Sequence, residues 1–156
     1  MTAPRARYAI PVKGLSSGKH RFEMELGDEL MHAFECRDVR DVKVKASIEA
    51  ERGSAMVAVA AKFTGHVTVE CDRCLEDLVL PVDYAASMEV RFLSVHTPEQ
   101  QPGYDGEVMW VGAEQTEADL SAFLYESVIL ALPYRRVHPD GGCDPQMMER
   151  FKMEKE

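Results

Sequence analysis

Successive stretches of this chain alternate apolar and polar residues with a period of two, and such a pattern can be satisfied by little other than a half-buried sheet. In His20-Arg21-Phe22-Glu23-Met24-Glu25-Leu26 the apolar set is Phe22, Met24 and Leu26, with Arg21, Glu23 and Glu25 between them. Neighbouring side chains on a pleated strand point to opposite faces, so one set meets the core and the other meets water. Val42, Val44, Ala46 and Ile48 repeat the pattern against Lys43, Lys45, Ser47 and Glu49. The turn at Glu51 to Ser54 then predicts a hairpin, whose return strand runs from Met56 to Phe63 and continues past a bulge at Gly65 to Glu70. Leu75 to Tyr84 and Ala86 to Leu93 lead away again. Consecutive strands joined by short turns pair antiparallel. The expected fold is therefore α+β, with a mainly antiparallel, curled or barrel-like sheet of about six to eight strands and one long C-terminal helix packed on it.

That helix is expected from Glu117 to Leu132. Thr116 and Asp119 resemble a capping box, Leu120, Phe123, Leu124, Ser127, Val128, Ala131 and Leu132 make the buried stripe, and Pro133 stops the helix. Tyr8 to Val12 reads as a short strand interrupted by Pro11, Asp28 to Glu35 as a turn or two of helix, and Glu107 to Val111 as a short strand. Residues 97–106, with Pro98, Pro102 and Gly103, read as a flexible loop, and 144–156 as a C-terminal tail. At 156 residues the chain is expected to be a single domain, 1–156. No apolar stretch reaches the length of a membrane span, and Met1 to Tyr8 is not followed by the apolar run of a secretory signal. Four cysteines without such a signal place the chain in the reducing cytoplasm, with metal-bound or reduced thiols rather than a disulfide framework.

Two of those cysteines, in Cys71-Asp72-Arg73-Cys74, fall at the tip between two long strands. Thiols three positions apart can bind one metal ion, and structural zinc takes four thiolate or imidazole ligands, commonly in pairs along the chain. Cys71, Cys74, His138 and Cys143 would complete such a set and tie the middle of the chain to its end. The bland alternative is two reduced thiols at a strand end. Cys36 is the remaining cysteine, either a small core residue or the fourth ligand in place of His138. A site of Cys71, Cys74 and Cys143 alone would leave the vacancy of a catalytic zinc.

A net charge of −9 argues against a protein that grips nucleic acid by blanket neutralisation. Any RNA contact must be local. If the metal gathers the two ligand pairs, Arg73, Arg135 and Arg136 form a small positive patch on an acidic body. No GxxxxGK[ST], GxGxxG or HExxH run occurs, and Gly14 to Gly18, which has GxSxG spacing, reads as a turn between two strands rather than the strand-to-helix elbow of a hydrolase. Glu126, on the helix, reads as a rim residue rather than a catalytic acid, and His20, His32, His66 and His96 are scattered. No catalytic residue and no small-molecule substrate are expected.

The ordered features Val69-Glu70-Cys71-Asp72-Arg73-Cys74-Leu75-Glu76, then Asp119-Leu120 through Glu126-Ser127-Val128-Ile129-Leu130-Ala131-Leu132-Pro133, then His138 with Cys143, resemble the YceD family of large ribosomal RNA subunit accumulation proteins over roughly residues 40–145. The resemblance implies metal binding, nucleic-acid contact and a part in accumulation or processing of large-subunit rRNA, with no established catalytic activity. The expected partners are large-subunit rRNA or its precursor, and a ribosomal protein. Carried over, the family's cysteines fall on Cys71, Cys74 and Cys143. Some branches carry a second CxxC that this chain lacks, so His138 must complete the set. Two other functions remain open beside ribosome biogenesis: an acidic module binding a basic ribosomal protein without RNA, and a metal-dependent hydrolase.

Overall fold

The computed structural model describes residues 8–93, 101–112, 115–133 and 136–137. In chain order these form β1 (Ala9–Pro11), β2 (Gly18–Leu26), α1 (Asp28–Ala33), β3 (Arg40–Arg52), β4 (Met56–Glu70), β5 (Asp77–Phe92), β6 (Gly103–Tyr104), β7 (Val108–Val111), β8 (Glu117–Asp119) and α2 (Ser121–Ala131). Six strands make one sheet in the order β2-β3-β4-β5-β7-β6, while β1 and β8 pair separately. Every pairing is antiparallel except β5 with β7.

The period-two runs become β2 to β5, and their two faces separate as the alternation requires. Along β3, Val42, Val44, Ala46, Ile48 and Ala50 are buried while Lys43, Lys45, Ser47 and Glu51 are exposed. The β3–β4 ladder shifts register between Arg40 and Lys43, with Gly65 opposite Val44 beside the shift. Gly65 has φ of +147°, and a Cβ there would sit 2.8 Å from Val44 Cα and overlap the Lys43 carbonyl oxygen. Only glycine lets the strands approach so closely at the predicted bulge. Pro81 is tolerated within the 16-residue β5 because β7 covers only Glu89 to Phe92, which leaves the proline's outer side without a ladder to break.

The sheet is open, correcting the barrel-like expectation. Closure would require the two terminal strands of the order to pair. One of them, β6, has only two residues against nine in β2. Instead α2 packs against β5 and α1 on the inner face. Residues 97–106, expected as a loop, contain β6 in their described part.

The helix is also shorter than expected, beginning at Ser121 rather than Glu117. Residues 117–119 extend instead to form β8, where Ala118 pairs with Ile10, and Leu120 N–H donates to Tyr8 O at 3.0 Å. Burial of Tyr8, Ile10, Ala118 and Leu120, none more than 1% exposed, outweighs the capping-box signal. Asp119 still serves the helix, but from outside it: its Oδ1 accepts the Ser121 N–H at 3.0 Å and hydroxyl at 2.6 Å. The expected stripe holds, with Leu120, Phe123, Leu124, Ser127, Val128 and Leu132 buried and Ala131 half-buried. Phe123 is the hub of the core, edge-on to Phe63 at 6.3 Å and to Tyr104 at 6.2 Å between ring centroids. α1 joins from the other side, where Phe34 stacks on Tyr125 at 4.5 Å.

Candidate functional site at the cysteine turn

The β4–β5 ladder runs unbroken from Met56 opposite Arg91 to Glu70 opposite Asp77, so residues 71–76 are the hairpin tip. Cys71 N–H donates to Glu76 O at 2.8 Å, and Leu75 N–H to Cys71 O at 2.9 Å. Arg73 N–H points at Cys71 Sγ, 3.4 Å away. Leu75 carries the chain out of the turn with φ of +66°, a left-handed conformation unusual for leucine. The turn folds both cysteines inward, and each is 0% exposed.

Two buried thiols in one tight turn, with a backbone N–H directed at a sulfur, supply a donor set suited to half of a tetrahedral thiolate-rich site. The other two expected ligands, His138 and Cys143, lie outside the described residues. Among the described residues no three His, Cys, Asp or Glu side chains stand together as a metal-binding group. Cys36 therefore does not join Cys71 and Cys74. It sits half-buried beside Tyr125, whose phenol is held above its ordinary pKa by burial first and then by Cys36.

The segment after α2 returns to this tip. Arg136 N–H donates to Asp72 Oδ2 at 2.8 Å, and Asp72 N–H donates to Arg136 O at 2.6 Å. Arg136 and Arg73 are thus brought to the same end of the sheet, while Arg135 lies outside the described residues. Two more arginines that sequence reasoning missed join them: Arg37 and Arg40, with Asp38, Glu70, Asp72 and Arg136, line an open depression of about 310 Å³. Hairpin register was the signal for them. Arg40 pairs with Thr68, so residues just before β3 must lie beside those just after β4. The Arg40 guanidinium bonds Asp77 at 2.6 Å, which raises its pKa above the ordinary value, and carboxylates interleave the arginines throughout.

Elsewhere the candidate acid–base residues are dispersed. Glu126 is exposed on α2, as a rim residue would be. His20 is half-buried and shares a hydrogen bond with the Ser16 carbonyl at 2.9 Å, while His32 and His66 are exposed. His96 lies outside the described residues. No helix among the described residues is long and apolar enough to cross a membrane.

Fold and site together define an α+β protein in which an open antiparallel sheet carries a cysteine-pair turn at the tip of its longest hairpin. The chain belongs to the family described as large ribosomal RNA subunit accumulation protein YceD, whose pattern matches residues 59–155, more than half of its length. The match begins within β4 and takes in the cysteine turn, α2 and the segment after it. No curated protein and no solved structure matches the chain.

Proposed function

We propose that this protein is a non-enzymatic factor for large ribosomal subunit biogenesis, acting in the cytoplasm through the cysteine-turn end of its sheet to support accumulation or processing of large-subunit rRNA. The observation that carries this reading is the match to the accumulation-protein family across the turn and the post-helix segment, which the Asp72–Arg136 hydrogen bonds bring together. In this reading Cys71, Cys74, His138 and Cys143 hold one zinc ion. Arg136, two residues before His138 in the sequence, bonds Asp72 within the cysteine turn, which supports this reading. Bound there, zinc would supply a cross-link between the middle and the end of the chain rather than a reactive centre. Elemental analysis of protein purified without chelator should find about one zinc per chain, reduced in a Cys71→Ser variant and unchanged in Cys36→Ser. Equal metal in wild type and Cys71→Ser would end the zinc reading.

RNA contact belongs to Arg73, Arg135 and Arg136, extended by Arg37 and Arg40. Because these arginines are local features on a chain of net charge −9, binding to precursor RNA should weaken steeply with salt. The interleaved carboxylates Asp38, Glu70 and Asp72 support a second reading, in which the same end meets a basic ribosomal protein. Capture of precursor particles with and without nuclease separates the two. Deletion should lower mature large-subunit rRNA relative to small-subunit rRNA, and a Cys74→Ser copy should fail to restore it. Normal rRNA ratios and subunit profiles after deletion would contradict the assignment.

A further inference from the structure

The six-stranded sheet has two very different edges. One ends in the two-residue β6, while the other is the nine-residue β2, which pairs continuously with β3 from Gly18 opposite Arg52 to Leu26 opposite Val44. An edge strand presents unpaired backbone groups, and proteins usually blunt such an edge with proline, a bulge, a cover or charged side chains, of which β2 has only the last, in both signs. No proline or register break interrupts β2, and among the described residues no strand lies on its outer side.

We propose that β2 is a self-association edge, which pairs antiparallel with β2 of a second copy of this chain about a two-fold axis at Phe22. The charge order of the strand selects both the partner and the register. With Phe22 opposite its own copy, Arg21 faces Glu23 and Lys19 faces Glu25, and the symmetry repeats both pairs. Four opposite-charge pairs then line the solvent face, with no like-charge pair. Moving the axis to Arg21 sets Arg21 against itself, and moving it to Glu23 sets Glu23 against itself. A shift by half that step would put the inner face of one copy beside the outer face of the other. On the inner face the chosen register sets Phe22 against Phe22 and His20 against Met24. These are the half-buried side chains of β2, and Phe22 and Met24 already pack against the core. The joined sheets extend one apolar face across the axis. Lys19 and Glu23 also make exposed ion pairs within the chain, to Glu49 and Lys45, both at 3.4 Å. Such exposed pairs hold their side chains weakly and leave them able to reach across the edge.

The test uses the full chain and two charge-reversal variants. Sedimentation equilibrium of the wild type should give, with rising concentration, twice the 17.5 kDa mass of one chain. A Lys19→Glu/Arg21→Glu variant has four acidic residues on the outer face of β2, and a Glu23→Lys/Glu25→Lys variant has four basic ones, so each alone should remain monomeric. Mixed, they should form a one-to-one heterodimer visible by native mass spectrometry, and the fourfold swap in one chain should dimerise again. Circular dichroism of each variant checks that the fold is intact. Should either reversal fail to fold, Arg21→Gln and Glu23→Gln, which only neutralise, should each weaken the wild-type dimer at least several-fold. A wild type monomeric at every concentration overturns the proposal. So does a dimer that charge reversal leaves intact, because its interface then lies elsewhere.

Discussion

Replacing Gly65 by alanine probes the point where β3 and β4 come closest. Two penalties combine there. A residue other than glycine at φ of +147° occupies a region that costs about 1–3 kcal/mol. The added Cβ also overlaps the Lys43 carbonyl oxygen and lies 2.8 Å from Val44 Cα, both backbone atoms that cannot rotate aside. Overpacking of that kind adds about 1–3 kcal/mol. Gly103 is the internal comparison: its φ is +146°, but a Cβ there meets nothing within 4 Å. Gly65→Ala is therefore expected to destabilise the fold by ~2–6 kcal/mol, and Gly103→Ala by ~1–3 kcal/mol. For a chain of this length each kcal/mol lowers Tm by about 2–4 °C, so Gly65→Ala should melt roughly 4–24 °C below wild type. Urea unfolding followed by circular dichroism gives both values, with unchanged m-values confirming that the folded states are comparable. If Gly65→Ala cost no more than Gly103→Ala, the close strand approach would be refuted, and with it the account of the bulge.

Phe63→Leu and Phe123→Leu, measured singly and together, should show a coupling of about 0.5–1.5 kcal/mol, the increment of an edge-to-face aromatic pair; additivity would mean that the rings do not interact specifically. Tyr104 should be among the last tyrosines to ionise, its pKa pushed up to about 12 chiefly by burial and then by Glu126 and Asp105. Because the folded pKa lies above the unfolded value, its contribution to stability is intact below pH ~10 and is lost as pH rises towards 12. Tyr104→Phe should flatten that part of the stability–pH curve, and an unchanged curve would count against the assignment. At Leu75, φ of +66° disfavours a β-branched side chain, so Leu75→Ile should destabilise by about 1 kcal/mol while Leu75→Gly is tolerated; the reverse order in thermal melts would show that the turn has another geometry. Asp72→Ala removes the acceptor of the Arg136 N–H and should reduce stability by about 0.5–1.5 kcal/mol in the same melts.

The meander β2 to β5 was legible because its signal is local. Each strand carries its own alternation, and the turns between β3, β4 and β5 announce themselves by glycine or by the cysteine pair. The end of α2 was equally plain at Pro133. Its beginning was not, since Ala118 extends only because Ile10, more than a hundred residues earlier, offers a strand to pair with. Sequence windows carry no trace of that partner. The same distance hid the open state of the sheet, which depends on how few residues β6 contributes. At the candidate site, the cysteine turn was readable from spacing alone. Arg37 and Arg40 escaped notice because they reach the tip through β3–β4 register rather than through proximity in sequence.

The pairing of β1 with β8 also fixes an order of events during synthesis. The β2–β5 meander contains all of its own ladder bonds once Phe92 has emerged, but the inner face that α2 covers stays open until Ala131 follows. At about 5–20 residues per second, the intervening stretch takes roughly 2–8 s. Until 117–119 is made, Tyr8, Ile10 and Val12, each no more than 1% exposed in the finished fold, have no β8 to lie against. The nascent chain therefore displays an apolar sheet face and an unpaired apolar N-terminal strand together, and both are covered only when 117–131 is made. A chain stalled or truncated before that point is the form of this protein most prone to aggregate.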